Sequence, residues 1–236
     1  MAPEAGRREQ LRANLARTRE AIATACRAAG REPESVRLIV VTKTFPASDA
    51  AALVEAGQAD LGENRDQEAA PKAAELARLG LEPVWHFVGQ LQRNKTRSVA
   101  RYAHWVHSVD RARLVDALDS AAAAHGRTVS ALLQVSLDGD TSRGGVSLGE
   151  LTALAERVAS AGSLRLRGVM GVAPLGWEPA KAFELLAECS DAVRAVEPAA
   201  SEVSAGMSGD FTAAVAAGAT MVRLGRNVLG ERESMA

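Results

Sequence analysis

The chain has 236 residues, and 28 lysines and arginines nearly balance 29 aspartates and glutamates for a net charge of −1. That balance excludes a nucleic-acid protein whose whole surface is basic, and no apolar stretch is long enough to span a bilayer. The hydrophobic share of 47% and charged share of 24% are those of an ordinary globular protein.

Residues Glu4 to Arg31 predict one amphipathic helix, because Leu11, Leu15, Ile22, Ala25 and Cys26 recur at helical spacing and Gly30 can cap its end. Beyond it the chain alternates. Strands are predicted over 37–42, 59–63, 84–88, 104–109, 129–137, 164–172, 201–205 and 220–224. Helical patterns fall over 47–57, 65–80, 91–102, 111–125, 148–161, 178–196 and 209–218. Regular βα alternation predicts a parallel sheet, and eight units predict a closed (β/α)₈ TIM barrel of class α/β with an extra N-terminal helix. An open doubly wound sheet would need a Gly-x-Gly-x-x-Gly turn after its first strand, which this sequence lacks. No low-complexity linker divides the chain, so one domain over 1–236 is expected, with residues 1–33 packed on the barrel. Cys26 and Cys189 lie in helical patterns without metal-ligand neighbours, and the N-terminus carries no apolar signal segment. Reduced thiols in a cytoplasmic protein are expected.

Several segments carry chemistry. Lys43 ends the apolar run Arg37-Leu-Ile-Val-Val-Thr-Lys43, and Pro46 with Ser48 signals a loop and a new helix. An ammonium at the carboxyl end of a core strand sits where parallel α/β folds place their sites. Partial desolvation there lowers an amine's pKa and frees it for Schiff-base chemistry; the alternative is a lysine snorkelling to solvent. Gly62-Glu63-Asn64 can orient a ligand or cap the next helix. In Trp85-His86-Phe87-Val88-Gly89-Gln90, Gly89 lets backbone approach a ligand closely, and mid-strand His86 reads as a hydrogen-bonded core histidine. His104 and His107 are three apart in a predicted strand and face opposite sides, which argues against a metal pair. The segment Asp138 to Gly145 predicts a mobile loop whose Arg143 holds an anion, or an ordinary turn.

Ser204-Ala-Gly206-Met207-Ser208-Gly209-Asp210 is the best anion candidate, offering glycine N–H groups, the Ser208 hydroxyl and a helix N-terminus. Gly225 and Arg226, after the eighth strand, can add N–H groups to the same anion. A tight turn with a helix cap is the other reading of these loops. A lysine facing a phosphate cradle fits a phosphorylated aldehyde, either a phosphosugar in a Schiff-base aldolase or pyridoxal phosphate (PLP).

Five motifs occur in order: Val41-Thr42-Lys43; Gly62-Glu63-Asn64 with Gln67-Glu68; His86-Phe87-Val88-Gly89-Gln90-Leu91-Gln92-x-Asn94-Lys95; Ser204-x-Gly206-Met207-Ser208-x-Asp210; and Met221-Val222-Arg223-Leu224-Gly225. Together they resemble the YggS/PROSC family of PLP homeostasis proteins, from about Val36 to Glu231. The resemblance implies a barrel like the N-terminal domain of alanine racemase, with Lys43 forming a Schiff base with PLP. It implies that Ser208, Gly225 and Arg226 bind the phosphate, the last two through backbone N–H groups. Arg223 would meet the pyridine nitrogen, Asn64 would lie near the cofactor and Met207 beside its ring. Arg65 stands where many relatives carry an aromatic residue, and Arg143 where they carry a lysine; both are expected near the mouth of the site.

The implied function is binding of pyridoxal 5'-phosphate in intracellular homeostasis of PLP and related vitamin B6 and amino-acid pools. PLP-dependent apo-enzymes are candidate recipients, and a monomer is expected. The alternative is a PLP-dependent amino-acid racemase of low activity. Alanine racemase takes its second base from a tyrosine on an additional domain. With the chain ending at Ala236 and Tyr102 expected on an outer helix, a carrier without efficient catalysis is favoured.

Overall fold

The computed structural model describes residues 4–231. Eight strands form one closed barrel in sequence order: β1 Arg37–Val41, β2 Asp60–Glu63, β3 Val84–Phe87, β4 Trp105–Val109, β5 Val129–Gln134, β6 Leu164–Met170, β7 Glu202–Ser204 and β8 Met221–Leu224. Every neighbouring pair is parallel, and β1 pairs with β8 as well as β2. The α/β barrel expected from the alternation is therefore the fold.

The strand pleat sorts the side chains. Along β1, Leu38 and Val40 pack outward against helices while Ile39 points into the barrel, where it meets Trp105, Leu132, Met170 and Met221. Val222 and Leu224 of β8 face out in the same way, leaving Arg223 inside. The register sets Ile39 beside Arg223 and Met170 beside Ser204, so a polar layer crosses the barrel interior.

Nine α-helices are described: α1 Ala5–Ala28, α2 Ala47–Glu55, α3 Asp66–Arg78, α4 Thr96–Tyr102, α5 Ala112–Ala124, α6 Leu151–Ala159, α7 Pro179–Val196, α8 Phe211–Ala216 and α9 Arg226–Leu229. Helix α1 stops where expected. Gly30 is left-handed, its N–H bonds to Arg27 O, and the Arg31 N–H bonds to Cys26 O at 2.8 Å, which is a Schellman closure. The extra helix lies on α9, with Asn14 Nδ2 donating to Val228 O at 2.9 Å and Arg7 donating to Leu229 O at 3.0 Å.

Several boundaries differ from the sequence reading, among them the start of the helix expected over 91–102, which is α-helical only from Thr96 after a 3₁₀ turn at Arg93–Lys95. The fifth strand ends at Gln134, beyond which only Val135 pairs, with Val146. The helix expected from 209 begins at Phe211, and α9 was not anticipated at all. Among the described residues no helix is long and apolar enough to cross a membrane.

Candidate functional site

A cleft of about 760 Å³ opens at the carboxyl ends of the strands. Lys43 enters it from a turn just past β1. The next residue, Thr44, has φ 68°, and among the described residues it is the one non-glycine in left-handed backbone. For a β-branched residue that conformation is costly and must be held by its surroundings.

The holding comes from β2 and α3. The Thr44 N–H donates to Glu68 Oε2 at 2.8 Å. On the other side of Lys43, Thr42 Oγ1 donates to Glu63 Oε1 at 2.6 Å, and Lys72 Nζ donates to Thr42 O at 2.9 Å and to Glu63 Oε1. Glu63 and Lys72 are both buried. The two neighbours of Lys43 are thus gripped by carboxylates from the motif Gly62-Glu63-Asn64 with Gln67-Glu68.

This revises the reading of that motif. Glu63 points away from the cleft into the helical layer and orients no ligand there. Asn64 makes no cap for α3, whose N-cap residue Arg65 has no side-chain cap bond. Instead Asn64 lines the cleft. Gly89 does serve a close approach, but to Asn64: a Cβ at Gly89 would lie 2.1 Å from Asn64 O.

The far wall comes from the loops after β7 and β8. Gly206 has φ 89°, and a Cβ there would stand 2.8 Å from Phe211 Cα and Ala214 Cβ, so the loop folds tightly beneath α8. The Met207 N–H donates to Asp210 Oδ1 at 2.6 Å, turning that carboxylate back on its own loop. Helix α8 has six residues and starts after Asp210, so its dipole contributes less than expected. The Ser208 hydroxyl and the backbone at Gly225 and Arg226, where α9 begins, line the same wall of the cleft.

Arg223 forms the floor. It is buried, and burial pushes its pKa down to about 10, with Asp210 opposing the shift; it remains a cation at neutral pH. Nη1 donates to Ser204 Oγ at 2.7 Å and Nη2 to Gly171 O at 3.0 Å. Neutral acceptors, rather than a carboxylate, hold this charge.

All seven residues singled out in the sequence line the one cleft: Lys43, Asn64, Met207, Ser208, Arg223, Gly225 and Arg226. The sequence reading missed the apolar walls Phe45, Met170 and Val172, and it quoted Val88 and the loop-locking Asp210 within motifs without giving either a role. Val88 and Val172 follow strand ends directly or nearly so, a positional signal that could have placed them in the wall.

Other candidates lie elsewhere. Arg143 is paired with Asp138 and Asp140 and does not line the cleft, so its loop is a turn closed on itself. Arg65 is exposed, 3.9 Å from Glu68. His86 is a buried, hydrogen-bonded core residue, as read from the sequence. Tyr102 ends α4 on the outer layer, edge-on to Trp85 with its hydroxyl 3.4 Å from Asp66 Oδ1.

Comparison with known proteins places this geometry. Residues 8–233 match the family model for the alanine racemase N-terminal domain. The pyridoxal phosphate homeostasis protein of Mycobacterium tuberculosis H37Rv is 44% identical over 245 residues, covering 96% of this chain and 94% of its own length. That of Escherichia coli K12 is 38% identical over 224 residues, covering 93% and 96%. The structure of PipY from Synechococcus elongatus PCC7942 with PLP bound superposes with a TM-score of 0.77 at 36% identity, covering 89% of this chain and 100% of PipY. The chain therefore belongs to the YggS/PROSC family of pyridoxal phosphate homeostasis proteins, built on the alanine racemase N-terminal barrel.

Proposed function

We propose that this protein binds pyridoxal 5'-phosphate in the cleft and takes part in intracellular homeostasis of the cofactor, its role being to hold PLP rather than to turn over an amino acid. The observation that carries this is the convergence of Lys43, Arg223 and the Ser208, Gly225 and Arg226 group on one cleft. The donor set fits: a primary amine at one end, a hydroxyl and turn N–H groups at the other, a cation on the floor and apolar walls for a flat ring. Bound PLP supplies an aldehyde that condenses with an amine, and its ring draws electrons from whatever is attached. Lys43 would be the amine that condenses with it. Ser208 and the backbone of Gly225 and Arg226 would hold the phosphate, Asn64 and Met207 would lie beside the ring, and Arg223 would meet the ring nitrogen.

The chemistry of Arg223 favours storage. A guanidinium donates and stays charged, so it leaves a ring nitrogen unprotonated and withholds the strongest electron-sink state. The chain's single tyrosine, Tyr102, is turned to Asp66 on the outer layer, which weighs against the racemase alternative. We read the whole chain as one binding unit, since α1 bonds directly to α9, which begins with cleft residue Arg226. We further read it as a cytoplasmic monomer that supplies PLP-dependent apo-enzymes.

The test is the visible spectrum of the purified protein after incubation with PLP, with and without borohydride. A visible band that borohydride removes, and that Lys43→Ala lacks, is the expected result. No band at any PLP concentration would overturn the reading. Exchange of the α-proton of alanine in deuterated water at an enzymatic rate would restore the racemase.

A further inference from the structure

A line of buried polar side chains runs down the barrel interior from the floor of the cleft. Arg223 Nη1 lies 2.7 Å from Ser204 Oγ, and Ser204 Oγ lies 2.9 Å from His107 Nδ1. His107 Nε2 is 2.9 Å from His86 Nδ1, and His86 Nε2 is 2.9 Å from Asp60 Oδ1. Five strands, β8, β7, β4, β3 and β2, each contribute one inward side chain. Ser204 and His107 are fully buried and His86 is 1% exposed, whereas Asp60, at the opposite end of the barrel, is only partly covered.

The direction of every proton in this line follows from its two ends. A guanidinium only donates and a carboxylate only accepts. Burial lowers the pKa of both rings, that of His107 well below its ordinary value, with Asp60 partly opposing the shift at His86, so both are neutral at pH 7. Asp60 must then receive the Nε2–H of His86. That leaves His86 Nδ1 as an acceptor, which requires the Nε2–H of His107. His107 Nδ1 is in turn an acceptor, so the Ser204 hydroxyl must donate to it. The serine oxygen is left with its lone pairs toward Arg223. Reversing the line would set two donors on Ser204 and leave its hydroxyl proton with no acceptor in the line.

We infer that Asp60 is a positioning residue for Arg223, acting across the barrel through His86, His107 and Ser204 to keep the serine oxygen an acceptor for the guanidinium. The consequence for the cofactor rests on the PLP reading above, because Arg223 faces the ring nitrogen there. The ring protons themselves do not depend on that reading. Trp105 stacks on His86 at 5.7 Å and helps fix its plane, and Arg37 reaches to 4.0 Å of Asp60 and 3.9 Å of Glu202. Glu202 therefore shares Asp60's end of the barrel and its arginine, but makes no hydrogen bond to His86.

That difference supplies the control. The experiment is ¹⁵N nuclear magnetic resonance of the four histidines in the full chain without PLP, at pH 7.5. Wild-type protein is expected to show both His86 and His107 as neutral Nε2–H tautomers. In Asp60→Ala, His107 should lose this single pattern although it does not touch residue 60, while Glu202→Ala should leave it unchanged. Either ring as an Nδ1–H tautomer or an imidazolium in wild type would overturn the inference, and that spectrum decides it even if Asp60→Ala does not fold. A His107 pattern indifferent to Asp60→Ala, or moved equally by Glu202→Ala, would overturn it too. Titration with PLP is read separately. Weaker binding by several-fold in Asp60→Ala with a retained Lys43-dependent band supports the positioning role, and unchanged affinity overturns it. Absence of any band in wild type counts against the PLP reading alone.

Discussion

Glu63 places a carboxylate in the dry layer between β2 and α3, and Lys72 answers it there. A buried pair of this kind adds little over an apolar substitute, but removing one partner strands the other. Glu63→Ala should therefore cost about 3–5 kcal/mol, read as a lower urea midpoint, because Lys72 would keep only Thr42 O among its present bonds. A loss below about 1 kcal/mol would mean that Lys72 escapes to solvent. The same change should loosen Thr42 and hence the turn that presents Lys43. The motif containing Glu63 was legible as a sequence feature, but its task was not. Alternation along β2 sends Leu61 and Glu63 outward and Asp60 inward, and that phase becomes visible only once the strand has neighbours.

At the scale of elements, the helix before the barrel reaches the site through α9. Asn14 donates to Val228 O, and Thr18 Oγ1 donates to Asn14 O at 2.8 Å. Asn14→Ala would leave a buried carbonyl without that donor, at a cost of about 1–3 kcal/mol. Thermal unfolding should register the loss. PLP affinity should fall with it, because α9 starts with Arg226 at the cleft; unchanged affinity would mean that α9 holds its place without α1. Helix α1 was readable from its periodicity and its Gly30 stop. Helix α9 was not, since four residues are too few to display a helical repeat and such a turn persists only through packing.

At the scale of the whole molecule, the neutral histidines inside the barrel link stability to pH. The folded-state pKa of both His86 and His107 is lowered, so below about pH 6.5 the unfolded chain binds protons that the folded chain refuses. Stability from this source is full above that pH and is lost as pH falls toward the folded values. The slope for two such sites approaches about 2.7 kcal/mol per pH unit. Urea unfolding between about pH 7.5 and 5.5 lies above the usual carboxylate range, and His104, whose pKa burial also lowers, adds to the slope with the same sign. A midpoint that stays constant across that window would contradict it. His107→Gln should flatten the dependence if it folds.

The sequence by itself determined the barrel and the N-terminal helix, because these depend on patterns that are local or ordered along the chain; of the cleft residues, Lys43, Ser208, Gly225 and Arg226 were legible in their own segments, whereas Asn64, Met207 and Arg223 were implied by the family resemblance. Apolar runs spaced by helical repeats dictate alternating elements, and a lysine or a glycine-rich turn at a strand's end is recognisable where it stands. The tertiary structure alone decided what those residues rest on: the grip of Glu63 and Glu68 on the lysine turn, the hold of Gly89 on Asn64, and the line from Arg223 to Asp60. Each joins residues from different strands or helices. Whether two such groups meet is set by barrel register and closure, which no single segment encodes.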